Sequence, residues 1–482
     1  MVVFGGIAKD GTYLDDTWQL QWRFDPLGGG LVFAQCSPSA IFNDGSDSAR
    51  CEVRWDHRLT VTSATLGLPS GAAVIGETGS DVALYDDGTH GDRVAHDEIW
   101  SRDGISYTGP EWPSLHPANI SFNLTGNGPW GTYSTSTNLG VVSPASVAAT
   151  PATDDPAVLL SRYVVFISDP ANVYCADYHV GAMGDLYAGM RRSYAKATNY
   201  LDPDRSEFAA VAIARQVFDP SGAGATPSGG SQVRLAAANI GFGDVPFDYS
   251  WLACCGSPGP GSCGRCNALL GQCYLNHRAG SALVHEIGHT WGIFFGQSGA
   301  VPVAVSSHWR AGIGGPWAPT YRTDMQSIMS PQMLDFRLVG DSPCVFVGAA
   351  ALTFDEYDQY LLGLIPSSAL PDVLVLDNPI PPAIWDGLAT GTCSGVRRIV
   401  PADLVAAEGG ERVPDWTAAP HSFDLSIVAV SPEFFSAAEL VYFERLARWM
   451  ESGEGPVFGA GSGSATPFYE ASSRLATVNC AL

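Results

Sequence analysis

Residues 281–292 read SALVHEIGHTWG and contain the most informative pattern in this sequence. Leu283 and Ile287 recur at helical spacing, as do Val284 and Trp291. This periodicity predicts a helix with one buried side. The other positions of the helix then remain available for chemistry.

Three residues of this stretch predict a metal site. His285, Glu286 and His289 form an H-E-x-x-H arrangement. Residues four apart on a helix lie one turn above each other, so both imidazoles can bind the same ion. Glu286 follows the first ligand and can reach a water on that ion. We therefore expect Zn²⁺ on His285 and His289, with Glu286 as the catalytic base.

A third zinc ligand is expected elsewhere, because catalytic zinc commonly has three protein ligands and one open position. His308 in SSHW is the first candidate. Asp355 and Asp358 in LTFDEYDQYLLGL are the alternative, since some zinc peptidases use a carboxylate from a second helix. The same two acids can instead be the N-cap and a first-turn acid of that helix, where its dipole favours them.

The order of these features resembles the metzincin family of zinc peptidases, in its leishmanolysin-type arrangement. The matching positions are His285, Glu286, His289, Gly292, the displaced His308 and Met329 in SIMS, which resembles a Met-turn. Residue 295 is Phe where the short metzincin pattern has its third His, and Pro331 stands where several members have Tyr. A Met in a Pro-ended turn also fits ordinary core packing. The resemblance implies a zincin fold that hydrolyses peptide bonds in a protein or peptide substrate.

A broader resemblance joins three later segments. Residues 354–366, 399–415 and 436–449 are similar to parts of an uncharacterised group of bacterial secreted proteins that carry H-E-x-G-H and S-H-W. This similarity implies that residues 158–482 form one catalytic unit, with a core over 158–365 and a C-terminal subdomain over 366–482.

The start of this unit has an α+β pattern. Strands are predicted over 162–168, 208–218 and 233–243, the last as a sheet edge, and a helix is predicted over 184–201. The preceding residues 145–157 are small, polar and Pro-bearing, which predicts a linker.

Short runs of alternating apolar and polar residues fill 24–144 and are typical of an antiparallel β-sandwich. Part of this region, VALYDDGTHGDRVAHDEIW, resembles a loop of bacterial extracellular Ig-like domains. Residues 1–23 contain FGG and DTW and resemble half of a Kelch repeat, although a plain hairpin explains them equally. The expected architecture is therefore multidomain, with an all-β, Ig-like sandwich before an α+β catalytic unit.

Four acids in that Ig-like loop have the spacing of a calcium loop: Asp86, Asp87, Asp92 and Asp97. The Glu that closes an EF-hand loop is absent. The alternative is a solvated acidic turn that binds no ion. The sequence therefore leaves two interpretations of this loop, a Ca²⁺ site in addition to the Zn²⁺ site or an acidic turn.

Composition limits the partners and the compartment. The chain has 25 Lys and Arg against 49 Asp and Glu, a net charge of −24, which argues against nucleic acid. Eleven cysteines favour an extracellular protein with disulfides, among them Cys36 with Cys51 and Cys344 with Cys393. No signal peptide opens the sequence, and no apolar stretch is long enough to span a bilayer. The alternative function is an extracellular adhesin or binding protein with a structural or inactive metal site. The oligomeric state is not predicted.

Overall fold

The computed structural model describes part of the 482 residues. The described residues are 31–55, 60–77, 79–109, 118–127, 132–171, 192–201, 208–213, 230–234, 268–272, 284, 287–288, 304–305, 308–309, 334–339, 344–350, 353–377, 390–407, 410–412, 414–453 and 466–482. They form mostly β-sheet with few helices. The Kelch-like segment 1–23 lies outside them.

Two sheets form the first part of the structure. One has four antiparallel strands in the order Leu31–Ser37, Ala49–Trp55, Ile99–Tyr107 and Ala72–Val74. The other has five strands in the order Ala40–Phe42, Thr132–Val142, Ala118–Asn127, Thr60–Gly67 and Asp81–Ala83, and only its first pair is parallel.

These two sheets share one apolar core. Residues of both are buried together, including Val53, Ile105, Leu66, Phe122 and Val141. Alternating inward and outward side chains on facing sheets produce such a core. The strands predicted for this region are therefore present, while the Ig-like topology stays a prediction. We call residues 31–143 the N-terminal β module.

A third sheet of eight strands follows. Seven lie in the order Thr150–Pro151, Val158–Leu160, Val164–Ser168, Ser422–Ser431, Phe208–Ile213, Ala268–Gln272 and Gly230–Arg234, and Thr477–Asn479 pairs beside the start of Ser422–Ser431. The four strands from Val164–Ser168 to Ala268–Gln272 are parallel, and Gly230–Arg234 is antiparallel to its neighbour. Val164–Ser168 is buried throughout, as expected for a parallel strand covered on both faces.

The strand Ser422–Ser431 connects distant parts of the chain. It lies between Val164–Ser168 and Phe208–Ile213. This sheet therefore contains strands from both sides of the predicted boundary between residues 365 and 366. Likewise, the predicted linker 145–157 contributes the strand Thr150–Pro151.

Smaller elements complete the described structure. Three short sheets contain Leu334–Val339 with Cys344–Ala350 and Thr390–Cys393, Ala304–Val305 with His308–Trp309, and Val373–Asp377 with Gly395–Ile399. The helices are Glu356–Leu362, Pro401–Ala407, Ala437–Ser452 and Phe468–Ala471, with a 3₁₀ turn at Ser367–Ala369 and a helical stretch at 192–197. None of the helices among the described residues is long and apolar enough to cross a bilayer.

One of the two expected disulfides is confirmed. Cys36 and Cys51 form a disulfide between adjacent strands. Cys344 and Cys393 lie directly opposite each other in the backbone register of their strands. Opposed residues of an antiparallel pair lie at a Cα separation that a disulfide can span. The Cys344–Cys393 bridge itself stays a prediction. The five cysteines of 254–273 and Cys175 lie outside the described residues.

Candidate functional site

The segment that carries the H-E-x-x-H motif is helical where the structure describes it. Val284, Ile287 and Gly288 have helical backbone, and Val284 and Ile287 are fully buried in the main apolar core. Residues three apart on a helix share a face, so these two positions define its buried side. That agrees with the predicted amphipathic helix. His285, Glu286 and His289 lie outside the described residues.

The sheet next to this segment has a defined edge. Ala268–Gln272 is the strand that precedes the motif in sequence, and Gly230–Arg234 pairs with its far side. Within the described residues Gly230–Arg234 is the last strand of the sheet. The edge strand was predicted over 233–243, so its observed position begins earlier; residues 235–243 lie outside the described part.

The first candidate for the third ligand is on a short strand pair. His308 begins the strand His308–Trp309, which is antiparallel to Ala304–Val305, with Val305 opposite His308. Met329 of the predicted Met-turn is not among the described residues. The structure thus gives the backbone position of His308, and its role as a zinc ligand stays a prediction.

The alternative ligands have an observed structural role. Asp355 is the N-cap of the helix Glu356–Leu362, and its Oδ1 accepts a hydrogen bond from Asp358 N at 2.9 Å. In return, Asp355 N donates to Asp358 Oδ2 at 3.0 Å. Both side chains are buried. This reciprocal capping satisfies helix N–H groups that have no intrahelical partner, so it accounts for both acids without a metal.

The other end of this helix is held by an arginine that the sequence did not reveal as important. Arg412 is buried and donates from Nε to Leu361 O at 2.7 Å and from Nη1 to Pro414 O. Burial lowers the pKa of Arg412 to about 10. A cation at a helix C-terminus interacts favourably with the carbonyl ends of the helix dipole. The helix is thus fixed at both ends.

Gly363 explains how the guanidinium can approach so closely. This residue ends the helix in the left-handed conformation at φ 79°, and a Cβ there would lie 2.6 Å from Arg412 Cζ. Tyr360 continues the network, because its hydroxyl accepts from Arg412 N and donates to Glu411 Oε2, both at 2.9 Å. Burial raises the pKa of Tyr360.

Three of the four predicted calcium-loop acids converge. Carboxylate oxygens of Asp86, Asp92 and Asp97 lie within 4.8 Å of one another. Asp92 is buried, and the other two are half-buried. Burial raises the pKa of Asp86, and the charges of Asp92 and Asp97 raise it further. Oxygen clusters of this kind suit a hard divalent cation, although exposed acidic groups also occur without one.

The fourth acid points elsewhere. Asp87 Oδ1 accepts hydrogen bonds from Thr89 N at 2.9 Å and Thr89 Oγ1 at 2.5 Å. The hydrogen bonds from Thr89 lower the pKa of Asp87. The side chain of Asp87 is thus engaged by the local turn and is not one of the three that converge, and calcium binding by the loop stays a prediction.

Backbone contacts set the shape of this acidic loop. Tyr85 and Ser101 exchange two backbone hydrogen bonds, of 3.0 and 2.8 Å. Gly91 has φ 93°, and a Cβ there would lie 2.7 Å from Asp103 Cβ. The loop therefore lies against the strand Ile99–Tyr107, with the three carboxylates on a supported backbone.

Replacing Asp86 by Asn tests the acidic cluster. Because the native pKa of Asp86 is raised, the folded protein holds this proton more tightly than the unfolded chain does, and stability falls as the pH rises through the native pKa. At neutral pH in EDTA, D86N is therefore expected to melt at a higher temperature than the wild type. Ca²⁺ at a hundred times its Kd would stabilise the wild type by about 2.7 kcal/mol, and D86N by much less.

The matched control is Asp87→Asn in the same loop, which should leave the response to Ca²⁺ unchanged. Thermal unfolding in EDTA and in Ca²⁺ measures all three proteins. Equal stabilisation of D86N and the wild type by Ca²⁺ would show that the cluster is an acidic turn and not a cation site.

Comparison with known proteins found no matching family model, no similar curated protein and no similar solved structure. The metzincin resemblance therefore stays a prediction.

Proposed function

We propose that this chain is a secreted zinc-dependent metalloendopeptidase. The motif His285, Glu286 and His289 carries the proposal, because two imidazoles four residues apart with an adjacent glutamate form a donor set that suits catalytic zinc. The helical and buried Val284 and Ile287 support it, since they fit the amphipathic helix that such a motif requires.

The residues that would hold the ion are His285, His289 and His308. Asp355 and Asp358 are the weaker candidates, because their carboxylates already cap a helix. When bound, zinc supplies a Lewis acid that polarises the scissile carbonyl and lowers the pKa of water to about 7.

Glu286 has the proton-transfer role in this proposal. Its carboxylate takes a proton from the attacking water and delivers it to the leaving amine nitrogen, so it acts first as a base and then as an acid. A structural metal site has no need of such a base. Glu286 is therefore the residue that favours an enzyme over the alternative, an extracellular binding protein with a structural or inactive metal.

A peptide substrate is supported by the edge strand Gly230–Arg234. Within the described residues this strand has a neighbour on one side only. An extended peptide can add to such an edge through main-chain hydrogen bonds. The disulfide between Cys36 and Cys51 supports secretion, since disulfides persist in oxidising compartments.

Removal and restoration of zinc test the proposal. Treatment with a chelator should abolish cleavage of a denatured protein substrate, and stoichiometric Zn²⁺ should restore it, with Mg²⁺ as the control ion. Cleavage would be followed by gel electrophoresis and mass spectrometry. Bound zinc without cleavage of any protein or peptide would favour the binding protein, and no bound zinc would contradict both.

A further inference from the structure

The N-terminal β module and the C-terminal helix Ala437–Ser452 share a single apolar core. Ala40 and Val142 of the module are buried in the same cluster as Tyr442 and Phe443 of the helix. The contact is close at Gly140, where a Cβ would lie 2.9 Å from Ala40 Cβ and 3.0 Å from Tyr442 Cδ2. Packing without room for one carbon atom is typical of a protein interior.

A buried carboxylate joins the two parts. Glu439 is fully buried, and its Oε1 accepts hydrogen bonds from Ser39 N and Ser39 Oγ, both at 2.8 Å. Its Oε2 accepts from Ser436 N at 2.8 Å, which closes the capping box of the helix. One side chain thus caps its own helix and binds the module. Hydrogen bonds to a charged acceptor are stronger than neutral ones, and an unpaired buried carboxylate is costly.

Polar contacts surround this core. Glu433 accepts from Ser37 Oγ at 3.1 Å and pairs with Arg93 at 3.1 Å, and Arg445 donates to Ser143 O at 3.4 Å. The Arg93 pair is exposed and adds little stability. Apolar packing and Glu439 therefore dominate the association.

We propose that the N-terminal β module is a permanent part of the working protein and is not a propeptide released on maturation. A propeptide that is released intact has to dissociate once the chain that joins it to the rest is cut. Dissociation of the module would separate Glu439 from Ser39 and would expose the packed apolar face of the helix to water. Cleavage between the two parts should therefore leave them bound to each other.

An exposed segment joins the two parts of the chain. Pro144, Ala145 and Ser146 are exposed, so a specific protease site can be inserted between Ala145 and Ser146 of the full chain. Cys36 and Cys51 are the only cysteines before this point, and they pair with each other. No disulfide can then hold the two fragments together after the cut.

The cut protein is expected to elute from a native sizing column as one species that contains both fragments. Two separate folded species at micromolar concentration would overturn the proposal. The assay uses neither zinc nor substrate, so a chain without peptidase activity can still support this inference. Separation of the two fragments would overturn the inference and would leave the result of the peptidase test unaffected.

Glu439→Gln tests the residue that joins the parts. The N-terminal fragment of the cut protein carries a fluorescent label, and its exchange with unlabelled cut protein is followed. The labelled fragment of E439Q should exchange at least about tenfold faster than that of the wild type, because changes at an interface act mainly on the dissociation rate. Glu444→Gln on the same helix is the control, since its ion pair is with Arg448 of that helix. Equal exchange rates for E439Q and E444Q would remove Glu439 from the proposal.

Discussion

Glu286→Ala is expected to lower kcat/KM for peptide cleavage by a factor of roughly 10² to 10⁴, the usual contribution of a general base or acid. Zinc should remain bound, because the ligands are His285, His289 and His308 in the proposed site. Metal content by mass spectrometry and hydrolysis of a fluorogenic peptide measure both quantities in the same preparation.

The control for this variant is Glu470→Ala, which removes a half-exposed glutamate paired with Arg474. It should retain full activity and zinc. Full activity in E286A would refute the mechanism. Loss of zinc in E286A would instead mean that Glu286 is a ligand.

His308→Ala is expected to reduce the affinity for zinc strongly, whereas Asp358→Ala should retain stoichiometric zinc. The two variants should also differ in stability. Asp358→Ala removes the acceptor of the buried Asp355 N–H and should cost about 1–2 kcal/mol of unfolding free energy. Zinc titration and denaturant unfolding of the metal-free proteins separate the two effects.

Asp355→Ala is the matched control, since it removes the other half of the same capping box. It should resemble Asp358→Ala in both measurements. If His308→Ala keeps tight zinc while Asp358→Ala loses it, the third ligand is Asp358 and the capping role is secondary.

The elements that could be predicted from sequence are those with a local cause. The strand Thr60–Gly67 alternates polar and apolar residues, and Asp355 stands at the N-cap of a helix that ends at Gly363. In each case neighbouring residues in the chain specify the structure. The helical residues Val284 and Ile287 belong to the same class.

The features that were missed depend on contacts between distant residues. No strand was predicted over Ser422–Ser431, and nothing in the run SFDLSIVAVS specifies that it lies between Val164–Ser168 and Phe208–Ile213. Glu439 belongs to the capping box of its own helix, and its second contact joins it to Ser39, which lies 400 positions earlier in the chain. Convergence of Asp86, Asp92 and Asp97, without Asp87, depends on the course of the loop between them.

The position of Ser422–Ser431 also has a consequence for biosynthesis. Chains emerge from the ribosome in order, so Val164–Ser168 and Phe208–Ile213 are made long before the strand that joins them. Until then the edge of each strand that Ser422–Ser431 covers lacks its native partner, and unpaired strand edges are prone to aggregate. Pairing over such long separations also slows folding. We therefore expect a chaperone that binds exposed strand edges to act mainly before Ser422–Ser431 has been synthesised.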